Sequence, residues 1–357
     1  MIARTFLVTG GAGFIGSSLA LAFKRRYPEH RIIAFDNLRR RGAELNVARI
    51  RTADVEFRHG DVRVASDLES FTGVVDVIVE CSAEPSVMAG RDGQPRYVID
   101  TNLNGCVNCL ELARVSGATF VFLSTSRVYP TATLCRLRYE ARADRLQLLD
   151  DQPVPGASAS GISEDFPLAG ARTLYGTTKL ASELLIAEYV DMFGLRAIVN
   201  RCGVVSGSWQ MGHAEQGVFA HWMLAHVFRL PLAYFGFGGT GLQVRDVLHV
   251  EDLADLIDRQ LAHPDGLRGE VLNAGGGLAN SVSLLEFTRI CQTLTGTRLD
   301  IASQPETRPG DVPVYITDNT RVEARFGWRP TRSVTAIGAD LHRWIVENQE
   351  TLRASLA

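Results

Sequence analysis

Phe6-Leu7-Val8-Thr9-Gly10-Gly11-Ala12-Gly13-Phe14-Ile15-Gly16 decides how the rest of this chain is read. A short apolar run of strand formers breaks into glycines spaced G-x-x-G-x-x-G, and a helix-like stretch follows from Ser17 to Tyr27. Each glycine answers a steric demand. Gly10 permits a tight turn out of a strand. Gly13 has no Cβ, so a pyrophosphate can come close to the backbone. Gly16 lets the helix pack against the strand. Phe14 and Ile15 open that helix, whose free N–H groups face the anion. The stretch predicts the phosphate loop of a dinucleotide-binding fold.

Arg31-Ile32-Ile33-Ala34-Phe35-Asp36 reads as a second strand ending in an acid. Asp36 lies 20 residues beyond Gly16, where such folds place the carboxylate that accepts the adenosine ribose hydroxyls. A carboxylate there repels a 2′-phosphate, so NAD is expected rather than NADP. Arg39, Arg40 and Arg41 pull the other way. Asn37 and Arg39 are grouped with Asp36 as cofactor residues.

Further strands are expected at 54–58, 75–80, 119–124 and 195–200, besides 4–9 and 31–36. Helices are expected at 14–27, 43–51, 64–70, 96–116 and 174–193. This βαβ alternation predicts an α/β fold with a doubly wound parallel sheet of Rossmann type, its ligands at the carboxyl ends of the strands. From about residue 205 the alternation becomes irregular. The expected division is a cofactor domain over 1–204 and a smaller, interleaved substrate lobe over 205–357. Residues 131–172, rich in charge, proline and glycine, read as a long surface excursion of the kind that often covers sites.

A chain of 357 residues can bury one large core or two smaller ones, and its net charge of −3 argues against a nucleic-acid surface. Six scattered cysteines do not form a disulfide framework. Cys106 and Cys109 have no second ligand pair near them and read as buried packing. Residues 5–23 are uncharged, but their glycines argue against a membrane span, and no cleavage site follows them. A cytoplasmic protein without membrane or nucleic-acid partners is expected.

Tyr175-Gly176-Thr177-Thr178-Lys179 sits near the start of a helical segment, where positions i and i+4 share a face. A lysine ammonium under a tyrosine lowers the phenol pKa and can hold the ribose of a nicotinamide nucleotide. The tyrosinate can then take a proton from a sugar hydroxyl as hydride leaves the same carbon. Upstream, the apolar run Phe120 to Leu123 ends in Ser124-Thr125-Ser126. A hydroxyl there can bridge the substrate oxygen and the tyrosine.

These motifs resemble, nearly end to end, the extended short-chain dehydrogenases/reductases that epimerise or dehydrate nucleotide sugars. The resemblance runs from Thr9–Gly16 to Phe326-Gly327-Trp328-Arg329-Pro330. It implies a bound NAD that is used and regenerated, and a C-terminal lobe that grips a nucleoside diphosphate. By that resemblance Thr125, Tyr175 and Lys179 are catalytic. Asp61 and Val62 lie at the adenine and Ala83 at the nicotinamide-side pyrophosphate. Ser124 and Cys202 border the cofactor, and Asn102 supports the active-site strands. Glu84, Ser126, Arg127, Gln216 and Gly217 fall on the substrate side. Arg245 and Arg308 match the positions that grip diphosphate, which suits their bidentate forks. His249 and Asp252 match the group's His-x-x-Asp and read as structural, with no metal. A homodimer through helices near 100–116 and 174–193 is implied.

Dehydratases of the group follow the catalytic Thr with Asp-Glu, whereas Ser126 and Arg127 stand here. No acid is placed to protonate a leaving hydroxyl, so an epimerase is expected. Asp36 to Gly42, Glu215 to Gly217, Gly241 to His249 and the 50-residue separation of Thr125 and Tyr175 are similar to CDP-sugar 2-epimerases of the group. A UDP-sugar 4-epimerase and a non-catalytic NAD-binding sensor remain as alternatives. Two residues depart from the group's pattern. Val204 stands where an Asn often contacts the diphosphate, and Pro130 stands where Gly is favoured.

Overall fold

A computed structural model describes residues 3–91, 93–212 and 217–356. Its centre is a seven-stranded sheet in which every pairing is parallel. The strands are β1 (Thr5–Thr9), β2 (Arg31–Asp36), β3 (Glu56–His59), β4 (Val77–Glu80) and β5 (Thr119–Thr125), followed by Ala197–Cys202 and Arg268–Ala274. Across the sheet the order is Arg268–Ala274, Ala197–Cys202, β5, β4, β1, β2, β3. The chain therefore changes direction between β1 and β4, and the carboxyl ends of those two strands flank a crevice.

Side chains alternate across the strands, so each face of the sheet has its own core. Phe6, Val8 and Ala34 pack with α1 (Phe14–Arg26) and the helix Val250–Ala262. Leu7, Ile33 and Ile78 pack on the other face with the helices Gly105–Ser116 and Leu174–Phe193. The six expected strands appear, shifted by no more than two residues at either end. The seventh, Arg268–Ala274, comes from beyond residue 204, so the two lobes share one sheet.

The helix expected over 96–116 is broken. Pro95–Ile99 and Gly105–Ser116 are α-helical, and Asp100–Asn104 between them is a π-helix. Such wide turns often mark functional sites, and Asn102 lies at the middle of this one.

The excursion 131–172 shares a buried core with the C-terminal lobe rather than lying loosely over the surface. It forms two small antiparallel pairs, Tyr139–Ala141 with Leu146–Leu148 and Ala157–Ser158 with Gly161–Ile162. Leu134, Leu146, Val154 and Phe166 pack against Val244, Val312 and Ile316 of the C-terminal lobe. That lobe has a four-stranded sheet, with the helices Val218–Phe228, Leu284–Thr295 and Val334–Glu347 around a third core. Cys106 and Cys109 are fully buried. Among the described residues no helix is long and apolar enough to cross a membrane.

Candidate active site

A cleft of about 1420 Å³ opens at the carboxyl ends of β1, β2, β4 and β5 and extends to the C-terminal lobe. That exceeds the volume usual for one ligand and leaves room for two. Its floor is the glycine loop. Gly10 has φ +59°, which L side chains rarely adopt. A Cβ on Gly16 would sit 2.2 Å from the Gly10 carbonyl oxygen, whereas one on Gly13 would meet only that oxygen, at 3.1 Å. The loop is thus closed toward the protein and open toward the cleft. Gly13 caps α1, whose first turn carries no acid and no side-chain cap, so its N–H groups are left for an anion. This geometry fits a pyrophosphate.

Asp36 borders the cleft. Its oxygens accept from Ala12 N (3.0 Å) and Leu38 N (2.8 Å). Burial pushes its carboxyl above the ordinary range, and backbone N–H groups oppose that. Asn37, Arg39 and Val62 also line the cleft, and Asp61 adjoins Asn37 and Val62. Asp61 accepts from Asn37 (2.9 Å) and pairs with Arg63, whose hydrogen bonds hold its pKa down at about 2. The Arg39 and Arg63 guanidinium groups lie 4.1 and 5.3 Å from the Tyr97 ring centroid, a feature not read from the sequence.

Ala83 and Glu84 continue the wall after β4. Asn102 is 1% exposed and lies behind them. Its amide accepts from Glu84 N (2.7 Å) and donates to Glu84 O and Thr178 Oγ1 (3.1 Å each). It ties the loop after β4 to the helix that carries Tyr175, which accounts for the π turn.

Thr125 ends β5 beside Cys202, its partner in the sheet. Thr173 caps the helix Leu174–Phe193, its hydroxyl accepting from Gly176 N (3.2 Å), and so fixes the turn from which Tyr175 projects. Tyr175, Thr125 and Lys179 line the same cleft. Burial raises the Tyr175 pKa, and Lys179 and Thr125 pull it back only in part. Lys179 Nζ lies 3.3 Å from Glu80, a residue the sequence reading passed over. Burial works against the Lys179 charge, but Glu80 and Tyr175 outweigh it and the pKa ends above its ordinary value.

Ser124 borders the cleft, yet its hydroxyl is turned to Glu183. Glu183 holds Arg201 (2.7 Å), Arg201 reaches the Tyr129 hydroxyl (3.3 Å), and that hydroxyl donates to Asn273 (2.7 Å). This buried chain ties the active-site strand to the far edge of the sheet.

Of the residues expected on the substrate side, Ser126, Arg127, Gly217, Arg245 and Arg308 share the cleft, as does Val204. Gln216 lies outside the described residues. Arg127 donates to Gly310 O (2.9 Å), and burial followed by the charge of Arg245 lowers its pKa. Arg245 pairs with Asp311 (2.6 Å) and donates to Val312 O (2.7 Å). Arg308 stacks over Phe235 at 4.0 Å. His249 bonds to Asp340 (3.2 Å), and Asp252 bonds to Thr331 and Arg332, so both serve internal contacts. Among the described residues, no group of three or more His, Cys, Asp or Glu is placed to hold a metal ion.

The strand order, the glycine cradle and the acid ending β2 meet on one cleft, which defines a Rossmann-type dinucleotide-binding protein. The NAD dependent epimerase/dehydratase family matches residues 6–275, and the chain belongs to that family. Its cofactor is NAD, on which the family depends. A CDP-paratose 2-epimerase of Salmonella typhi is 28% identical over 346 residues, 95% of this chain and 98% of the relative. A UDP-glucose 4-epimerase of Erwinia amylovora is 26% identical, covering 97% of this chain and 99% of the relative. Among solved structures, a dTDP-glucose 4,6-dehydratase of Streptomyces venezuelae with NAD and TYD bound superposes with a TM-score of 0.78 at 26% identity. The match spans 98% of this chain and 99% of that one.

Proposed function

We propose that this protein is a nucleotide-sugar epimerase that inverts C2 of a CDP-sugar. The observation that carries the reading is what surrounds Thr125 and Tyr175. A hydroxyl, a phenol and a lysine line one cleft, the lysine charge and the hydroxyl both favouring the ionised phenol, while the two residues after Thr125 are Ser126 and Arg127 rather than acids. Such a site can remove and restore a hydroxyl proton, but it has no acid beside Thr125 to expel water. The relative from Salmonella typhi supports C2 and a CDP-sugar.

Bound NAD supplies the taking of hydride from the sugar carbon and its return. The chain's own residues do the rest. Tyr175 accepts the hydroxyl proton and gives it back, Thr125 bridges sugar oxygen and phenol, and Lys179 steadies the tyrosinate. Arg245 and Arg308 grip the diphosphate, and Arg127 faces the sugar. The exposed apolar side chains of Val115, Leu184, Met192 and Phe193, on the helices Gly105–Ser116 and Leu174–Phe193, form the contact of a homodimer.

The test is a CDP-sugar deuterated at C2, incubated in ordinary water. Inverted C2 with the label kept is expected, and washout of deuterium excludes hydride return. The full-length similarity to the Erwinia amylovora relative favours a second reading, a UDP-sugar 4-epimerase. Inversion confined to C4, or turnover only with UDP-sugars, decides for it.

A further inference from the structure

Glu80 ends β4, whose other residues are Val77, Ile78 and Val79, and its side chain is 1% exposed. Its neighbours across the sheet are Thr9 in β1 and Phe122 in β5. An acid at such a place is costly unless it is paired. One carboxylate oxygen accepts the Ser82 hydroxyl, and the other lies 3.3 Å from Lys179 Nζ. Lys179 is 2% exposed, and an ammonium offers only donors. The second Glu80 oxygen is therefore an acceptor, and the two groups form a buried ion pair. The ammonium also stands 4.3 Å from the centre of the Phe122 ring.

The proton transfer assigned to Tyr175, Thr125 and Lys179 makes no use of this carboxylate. We propose that Glu80 is a positioning residue for the base: it pins the Lys179 ammonium beneath Tyr175, and its fixed negative charge limits how strongly that ammonium favours the tyrosinate. The inference rests on Tyr175 being the base.

Other titratable groups surround the pair. They are the thiols of Cys81 after β4, Cys106 and Cys109 on the helix Gly105–Ser116, and Cys202 at the end of its strand. Burial pushes all four up, Cys106 and Cys202 to about 12, so they stay neutral at working pH. Arg40 and Arg127 face Tyr175 as cations. The anion that meets Lys179 is Glu80. Replacing it with a neutral group leaves the ammonium to be balanced by ionised Tyr175.

Glu80→Gln in the full chain tests this. The Tyr175 titration is read as tyrosinate absorbance, taken as the difference from Tyr175→Phe in the same background and without substrate. The midpoint should fall by about one pH unit or more, roughly a tenfold change in proton affinity. The acid limb of kcat/KM should move the same way. An unmoved or raised midpoint overturns the proposal, because a purely packing role would leave it in place. The absorbance needs no turnover, so failure of the epimerase reading would show separately, as inactivity of the wild-type chain on every nucleotide sugar. Should Glu80→Gln not fold, Glu80→Asp draws the charge back by one methylene. A smaller fall in the midpoint is then expected, and no fall overturns the proposal.

Discussion

The two ends of the cleft are made in different ways. The cofactor end is mostly backbone: four glycines within seven residues set the loop, and main-chain N–H groups of Ala12 and Leu38 hold Asp36. The substrate end is mostly side chains brought together from far apart. Arg127 reaches Gly310, Arg245 meets Asp311, and Arg308 lies on Phe235. A backbone site is shared by any chain that can make the turn. A side-chain site can be rewritten one residue at a time. The cofactor is thus common to the family, while the sugar is not.

Tyr175 stands where the two ends meet, and Tyr175→Phe should have the largest effect. Turnover should fall by about 10²–10⁴, the usual worth of a general base, while the NAD content of the purified protein is unchanged. Turnover and the cofactor released on denaturation are the measurements. Loss of NAD together with activity would erase the distinction between the ends.

Arg245→Ala and Arg308→Ala probe the substrate end alone. Each should weaken binding of a free nucleoside diphosphate by roughly 10- to 150-fold, as expected for a hydrogen bond to a charged group. Calorimetry reads this, and unchanged affinity in both variants would place the diphosphate elsewhere.

The smallest effect is expected from Asp36→Asn. Two backbone groups already occupy the Asp36 oxygens, so any bond to a ribose would be an additional one. The preference for NAD over NADP should narrow by roughly 2- to 12-fold, the worth of an ordinary hydrogen bond. A purified protein carrying mainly NADP would contradict this account of the strand end.

The same contrast explains what was legible in the sequence. Contiguous signals, such as the glycine loop, the strand ending in Asp36, and the Tyr175–Lys179 spacing, are read directly because local spacing is the signal. Signals between distant segments are not. Ser124 was expected to border the cofactor and does border the cleft, but the partner of its hydroxyl, Glu183, lies 59 residues away and was not read. Asp61 was expected at the adenine from its place in the chain, but its partners Arg63 and Asn37 were not read. The strand Arg268–Ala274 was missed because its first four residues are partly exposed and carry no apolar run. Glu80 did leave a trace, an acid ending a run of valines and isoleucine, which is where a buried partner should have been sought.

The seventh strand has a consequence for how the protein is made. All six residues of Ala197–Cys202 are buried, and one row of their backbone groups is met only by Arg268–Ala274. Tyr129 likewise awaits Asn273. During synthesis that edge stays open while residues 203–274 are added, roughly 4–15 s at about 5–20 residues per second. An open apolar edge is a template for pairing with another chain. The nascent protein therefore passes through a sticky interval that ends only when a late segment slots into place, so holdase chaperones should engage it on the ribosome, and fragments cut near residue 204 should clump rather than fold.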